Sequence, residues 1–250
     1  MLSQSDNELL SRTGPGTPMG DLFRRFWLPA LLPEELPEPD CAPVRFRFMS
    51  EDLVAFRDTS GRVAFMQNAC PHRGASMFFG RNEEDGLRCV YHGWKFDVTG
   101  ACVDMPNEPA ESNFKHKIRA VTYPGAEVGG LIWIYMGPRV DYSTREDGAP
   151  DLPVYEWMLR DNPRRRFWKW QQASNWAQGV EGNLDSSHAS FLHKFFDLSH
   201  PWNFGNTGAN INRRPLLSDD GAPVLTAKET DFGFVYGAQR RTKSGEHYWR

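Results

Sequence analysis

Two short loops constrain this chain more than any other part of it. Cys70 and His72 stand one residue apart in "NACPHRG", and Cys89 and His92 two apart in "CVYHGW", with sixteen residues between His72 and Cys89. Each loop carries one thiol, one imidazole and a glycine, the residue that tolerates the left-handed backbone of a tight turn. The first loop follows one strand-like run and the second precedes another. A fold that brings the loops together presents two sulfurs and two nitrogens to one place, and this requires strands that end in neighbouring turns.

The surrounding sequence supplies them. "VRFRF" puts Val44, Phe46 and Phe48 on one face and Arg45 and Arg47 on the other. "LVAFR" and "RVAFM" flank the turn "DTSG", "GWKF" and "ACV" flank "DVTG", and "LIWIYM" at 131–136 reads as a buried strand. These runs predict a small antiparallel β domain over residues 41–140. Residues 1–40 form a lead-in: a helix over "SDNELLSR" capped by Ser5 or Asp6, a break at "TGPGTPMG", and an apolar stretch over 22–32. The polar, turn-rich residues 138–153 read as a linker, and residues 141–250 as a second domain. That domain holds a strand-like "RRRFWKW", a helical "NWAQGVEGNLDSSHASFLHKFF" and the strand "FGFVYGAQRR". The fold class expected is α+β and β-rich.

Two Cys and two His can hold one tetrahedral zinc, or a 2Fe–2S cluster in which one iron takes both thiolates and the other both imidazoles. Zinc fingers place two cysteines in one knuckle and two histidines in another. Here each loop supplies one of each, which favours the cluster. A second constellation follows: Asp185, His188 and His193, spaced D-x2-H-x4-H. On a helix Asp185 and His188 share a face. His188 and His193 lie roughly 140° apart around an ideal helix, so they meet at one metal only if the helix bulges or ends between them. From these residues alone, a metal pair and two structural histidines both remain open.

Hydrophobic residues make up 40% and charged residues 24%, the profile of a soluble globular chain, and the formal net charge of −3 argues against nucleic acid as a partner. The basic run Arg164–Arg166, with Phe167, Trp168 and Trp170 behind it, reads as a strand with charges facing water rather than as a base-stacking platform. The N-terminus has neither the basic nor the apolar region of a secretory signal, and the apolar runs are too short to span a bilayer. Cys41 and Cys102 read as buried thiols in a reducing compartment. A cytoplasmic protein with no membrane partner is expected.

The first motif resembles the Rieske domains of aromatic-ring-hydroxylating oxygenases, and the resemblance runs from "GTPMGDLFRRFW" through "FGFVYGAQRR". It departs from the respiratory Rieske type, in which each loop carries an extra, disulfide-bonded cysteine: Ala75 and Tyr91 stand in those places. Trp94 stands where the respiratory proteins offer a serine hydroxyl, and fewer hydrogen bonds to the cluster sulfurs imply a lower-potential centre. Asn175–Trp176 and "SFLH" are similar to the phthalate 4,5-dioxygenase-like branch of oxygenase alpha components. The resemblance implies a Rieske 2Fe–2S cluster on Cys70, His72, Cys89 and His92, and a mononuclear non-haem Fe(II) on His188 and His193, two members of a 2-His-1-carboxylate set. Asp185 is then a bridging residue. In the family this aspartate accepts hydrogen bonds from a cluster histidine of the adjacent subunit and from an iron-bound histidine, here His92 and His188.

Further expectations come with that resemblance. The catalytic domain has a helix-grip, START-like fold and its third, carboxylate ligand lies further downstream than Arg250, so residues 141–250 would be an N-terminal part of a domain truncated at the C-terminus. A flavin/2Fe–2S reductase would pass electrons from NAD(P)H to this terminal oxygenase, which would use O2 to hydroxylate an aromatic carboxylate of the phthalate kind. The alternatives are a monooxygenase or O- or N-demethylase of a methoxylated aromatic, or a Rieske electron-transfer protein without oxygenase activity. Cross-subunit transfer implies a homotrimer or two stacked trimers. Arg213, Arg214, Arg240 and Arg241 are candidates for binding a substrate carboxylate, although for any one of them a solvated surface position is the commoner reading.

Overall fold

The computed structural model describes residues 2–109, 111–141, 143–159, 166–192 and 220–241, and the backbone of 247–249. Two short helices open the chain, each capped by a hydroxyl. α1 (Gln4–Ser11) is capped by Ser3, whose Oγ accepts from the Asp6 N–H at 3.1 Å; the cap lies ahead of the Ser5 or Asp6 expected, because the oxygen must precede the orphan N–H by one turn. α2 (Pro18–Arg24) has proline in its first turn and Thr17 as cap.

Antiparallel strands follow: β1 (Trp27–Leu31), β2 (Val44–Phe48), β3 (Glu51–Arg57), β4 (Val63–Gln67), β5 (Arg81–Glu83), β6 (Gly86–Arg88), β7 (Lys95–Phe96), β8 (Cys102–Asp104), β9 (Thr122–Val128) and β10 (Leu131–Tyr135). They form a six-stranded sheet ordered β1-β10-β9-β4-β3-β2 and a four-stranded sheet ordered β5-β6-β7-β8. The turns "DTSG" and "DVTG" are built alike. In each, the aspartate N–H donates to the carbonyl four residues on, and the glycine N–H donates back to the aspartate carbonyl, with Gly61 and Gly100 both at φ +82°.

Leu53–Phe56 in β3 and Val63–Met66 in β4 are apolar without interruption because both faces of these strands are covered. Leu53, Ala55, Val63 and Phe65 point into one core with Leu31, Leu36, Ile132 and Ile134. Their neighbours Val54, Phe56, Ala64 and Met66 point into the opposite core, which contains Cys70, Cys89, Trp94, Phe96 and Met105. The period-two geometry of a strand therefore seats the Cys-bearing loops on one face of the large sheet.

A third core joins Trp27, Trp133 and Tyr135 to Ala149 and Met158, and the Trp27 indole donates to the Pro150 carbonyl at 2.7 Å. The polar segment around residue 145 is thus folded back against the sheet, with Asp147 accepting from both Arg145 and the Ala149 N–H. Residues 138–153, expected as a linker, pack within the first of two compact units, Met1–Ala173 and Ser174–Arg250. α3 (Glu156–Leu159) belongs to the first unit. Residues 166–170, expected as a strand, form none, and Trp168 and Trp170 are exposed. Cys102 is buried, but Cys41 is only half-buried.

In the second unit Asn175 caps α4 (Trp176–Leu184), and β11 (Val224–Thr230), β12 (Gly233–Arg241) and β13 (His247–Trp249) form an antiparallel sheet in that order. The helix is shorter than expected. Asp185 ends it in an extended conformation, since its carboxylate captures nearby backbone N–H groups and competes with the helical ladder. Among the described residues no helix is long and apolar enough to cross a membrane.

Candidate metal centres

The two Cys/His loops are one turn made twice. In the first, the Cys70 N–H donates to the Ala75 carbonyl at 2.9 Å and the Gly74 N–H to the Cys70 carbonyl at 2.9 Å. In the second, the Cys89 N–H donates to the Trp94 carbonyl at 2.9 Å and the Gly93 N–H to the Cys89 carbonyl at 3.1 Å. Both turns close only with a left-handed residue, supplied by Gly74 at φ +70° and Gly93 at φ +78°. The thiols of Cys70 and Cys89 lie side by side, 3% and 2% exposed. The half-buried rings of His72 and His92 stand with centroids 4.4 Å apart, edge to face.

Neighbouring side chains fix these groups. The Trp94 ring stacks on His72 at 4.4 Å and 8°, and its indole N–H donates to Asn107 Oδ1 at 2.7 Å; Tyr91 lies against His92. Asn68 Oδ1 accepts from Ser76 Oγ and the Phe78 N–H, closing the first loop. Arg88 braces the second, donating to the Gly93 carbonyl and to Asp104, both at 2.7 Å, and to Glu83 at 2.6 Å. That guanidinium holds the carboxyls of Glu83 and Asp104 below the usual range. Burial, with Cys89 alongside, pushes the Cys70 thiol up to about 11. Burial, then the neighbouring His92 and Arg73, keeps the pKa of His72 below its ordinary value, favouring the neutral ring.

The second constellation starts where α4 stops. Asp185 Oδ1 accepts from the Ser187 N–H at 2.7 Å and the His188 N–H at 3.4 Å, and Oδ2 meets His188 Nδ1 at 3.1 Å. These bonds, the Ser187 N–H first, hold the Asp185 carboxyl below its usual range. His188 begins a single 3-10 turn, His188–Ser190. The α-helix has thus ended at Leu184, before His188, so the ideal-helix angle does not govern where His188 points. His193 itself lies outside the described residues.

A model of the Rieske [2Fe–2S] domain matches residues 26–124, and a model described as LigXa C-terminal domain like matches residues 131–247. The chain is 43% identical over 241 residues to the phthalate 4,5-dioxygenase oxygenase subunit of Pseudomonas putida, covering 96% of this chain and 53% of that protein. It is 42% identical over 253 residues to the 3-chlorobenzoate-3,4-dioxygenase oxygenase subunit of Comamonas testosteroni, covering 100% of this chain and 54% of that one. The chain thus joins a Rieske [2Fe–2S] domain to a LigXa-like C-terminal domain, and nearly its whole length is similar to subunits named as oxygenases. It spans about half the length of the curated relatives it matches. The solved structure of Pseudomonas putida CBB5 NdmA, at 23% identity and a TM-score of 0.56 over 91% of this chain and 63% of that one, shares its fold.

The donor set fits a Rieske cluster. His72 Nδ1 is buried with no hydrogen-bond partner, as a nitrogen reserved for iron would be. The buried Cys70 thiol, its pKa raised, needs a nearby cation to ionise, and a ferric pair would supply one. Among the described residues no three His, Cys, Asp or Glu groups converge as a single-ion site. A Rieske cluster asks for two protein ligands at each iron, which the two thiols and the two imidazoles would provide.

Residues that carry no motif brace these sites. Arg88 and Asn107 have no sequence signal, because a buried brace is recognised only from what it touches. Arg240 is fully buried, against the surface reading given to arginines of its class, while Arg241 is exposed. Arg213 and Arg214 lie outside the described residues.

Proposed function

We propose that this protein is the terminal oxygenase component of a multicomponent Rieske oxygenase that hydroxylates an aromatic carboxylate of the phthalate class, in aromatic catabolism. The observation that carries this reading is the pairing, within one chain, of the twin Cys/His loops with the Asp185–His188 hydrogen bond at the end of α4. Cys70, His72, Cys89 and His92 would hold the 2Fe–2S cluster. His188 and His193 would hold a mononuclear Fe(II) together with a carboxylate. Bound there, the two centres supply one-electron transfer and O2 activation.

The chain's own residues prepare both places. The core around Cys70 and Cys89 excludes water from the sulfurs, while the half-exposed His72 and His92 rings leave the nitrogen side of the site accessible to a partner. Ionised Asp185 can only accept, so His188 donates through Nδ1–H, and the tautomer so fixed leaves the Nε2 lone pair for a metal. The electron donor would be a flavin/2Fe–2S reductase oxidising NAD(P)H. A homotrimer, single or stacked, would bring one subunit's His92 to the next subunit's Asp185. The aromatic-carboxylate class is supported by two relatives whose names specify phthalate and 3-chlorobenzoate.

The test is turnover of the protein with such a reductase, NADH and 18O2 on phthalate, 3-chlorobenzoate and a methoxybenzoate, with products identified by mass spectrometry. A cis-dihydrodiol of phthalate or chlorobenzoate carrying both labelled atoms is expected. Formaldehyde release from the methoxybenzoate with no product from the other two would replace the dioxygenase with a demethylase.

A further inference from the structure

One buried charge in the second unit is used by neither metal centre as described. Arg240, near the end of β12, is 0% exposed and forms no ion pair among the described residues. Burying a guanidinium without a carboxylate is unfavourable unless its N–H groups find other acceptors. They find two backbone carbonyls: one terminal nitrogen donates to Asp220 and the other to Ser186, while Nε has no partner among the described residues. The Asp220 carboxylate is turned elsewhere, accepting from the Ala222 N–H at 3.0 Å and the Arg241 N–H at 2.9 Å.

The identity of the second carbonyl matters. Its peptide links Ser186 to Ser187, and the N–H of that same peptide donates to Asp185 Oδ1 at 2.7 Å. A trans peptide is planar, with C=O and N–H pointing in opposite directions, so fixing the oxygen fixes the aim of the hydrogen. A cation on the carbonyl also polarises the peptide and strengthens the N–H as a donor. Asp185 in turn holds His188 Nδ1 at 3.1 Å. The order of contacts is guanidinium, peptide, carboxylate, imidazole.

We infer that Arg240 is a positioning residue, which pins the Ser186–Ser187 peptide and through it orients the Asp185 carboxylate and the ring of His188. Its effect on iron rests on the oxygenase reading; its effect on the ring does not. A neighbouring arginine could not replace it, since Arg241 on the same strand is exposed.

The test uses Arg240→Met, Arg240→Lys and Ser187→Pro in the whole protein. Ser187 has φ −74°, which proline adopts, so Ser187→Pro removes the N–H donated to Asp185 and leaves Arg240 in place. Two readouts are taken. The first is Fe(II) affinity of the mononuclear site by EPR of its nitrosyl adduct, with the reduced-cluster EPR signal as internal control. The second is the imidazole 15N shifts of His188 in metal-free protein, which report its tautomer.

Arg240→Met and Ser187→Pro are expected to keep the cluster signal, weaken Fe(II) binding about tenfold, and move the His188 shifts from one tautomer toward an average. Arg240→Lys, which keeps a donor for one carbonyl, is expected to fall between them and wild type. Wild-type affinity and unshifted imidazole nitrogens in both Arg240→Met and Ser187→Pro would overturn the proposal. Should Arg240→Met not fold, Arg240→Lys takes its place, and unshifted His188 nitrogens in that variant would overturn the proposal. If wild type binds no second iron but the variants still move the His188 shifts, the positioning role stands and the oxygenase reading falls.

Discussion

The loops of the first unit and the end of α4 in the second hold their histidines by different means. Around Cys70 and Cys89, antiparallel strands deliver two copies of one turn, and a buried apolar core sets the thiols side by side. Around His188 the described contacts are of another kind: a carboxylate meets the ring, and a peptide and a distant arginine stand behind that carboxylate. A site carried by paired strands is fixed by spacing and burial together. A site at a helix end depends on individual side chain–backbone hydrogen bonds, and each of them is a separate point of failure.

The comparison breaks most visibly at the thiols. Cys70→Ala or Cys89→Ala is expected to abolish the Rieske EPR signal altogether, because one iron loses half of its protein ligands; a variant that retained the spectrum would remove that cysteine from the ligand set. At the helix end the loss is graded. Asp185→Asn is expected to keep the cluster signal and lower Fe(II) affinity or turnover by roughly 10- to 100-fold, as measured by iron titration and steady-state rates.

The twin loops can also be set against each other. A Cβ on Gly93 would sit 2.5 Å from Pro106 Cγ, whereas one on Gly74 meets nothing within 4 Å, although both residues are left-handed. Gly74→Ala is expected to cost about 1 kcal/mol of stability, from backbone conformation alone. Gly93→Ala is expected to cost about 3 kcal/mol, because the side-chain clash is added. Denaturant unfolding of the two variants checks the difference, and equal losses would mean that Pro106 moves aside.

The smallest effect concerns the Arg88 brace. Arg88 holds Glu83 and Asp104 below the usual carboxylate range, so their folded pKa values lie under the unfolded ones. Their contribution is therefore complete above the unfolded values of about 4 and is lost as pH falls through the folded ones. Thermal stability should drop on acidification in that window, and Arg88→Met should flatten the drop; an unchanged slope in the variant would locate the acid sensitivity elsewhere.

What was legible in the sequence follows the same division. The spacing of Cys70, His72, Cys89 and His92 and the paired turns "DTSG" and "DVTG" are local patterns, and strands β2, β3, β4, β7, β8 and β10 were readable around them, whereas β1, β5, β6 and β9 were not. The break of α4 at Asp185 was not, because a helical pattern does not show a carboxylate turning back on its own backbone. Nor was the return of residues 144–158 onto the sheet, since its polar turns have the composition of a spacer while Ala149 and Met158 supply the contact. The burial of Arg240 had no local signal at all; it is set by carbonyls of Ser186 and Asp220, residues far from it in sequence.

The central claim is that one chain carries both a Rieske cluster and a mononuclear iron site. Iron analysis combined with EPR of the reduced protein, before and after nitric oxide, tests it most directly. The account requires the Rieske spectrum together with iron beyond the two atoms of the cluster, and a separate high-spin nitrosyl signal that Asp185→Asn weakens. A Rieske spectrum with no further iron, or zinc in place of iron, would contradict it.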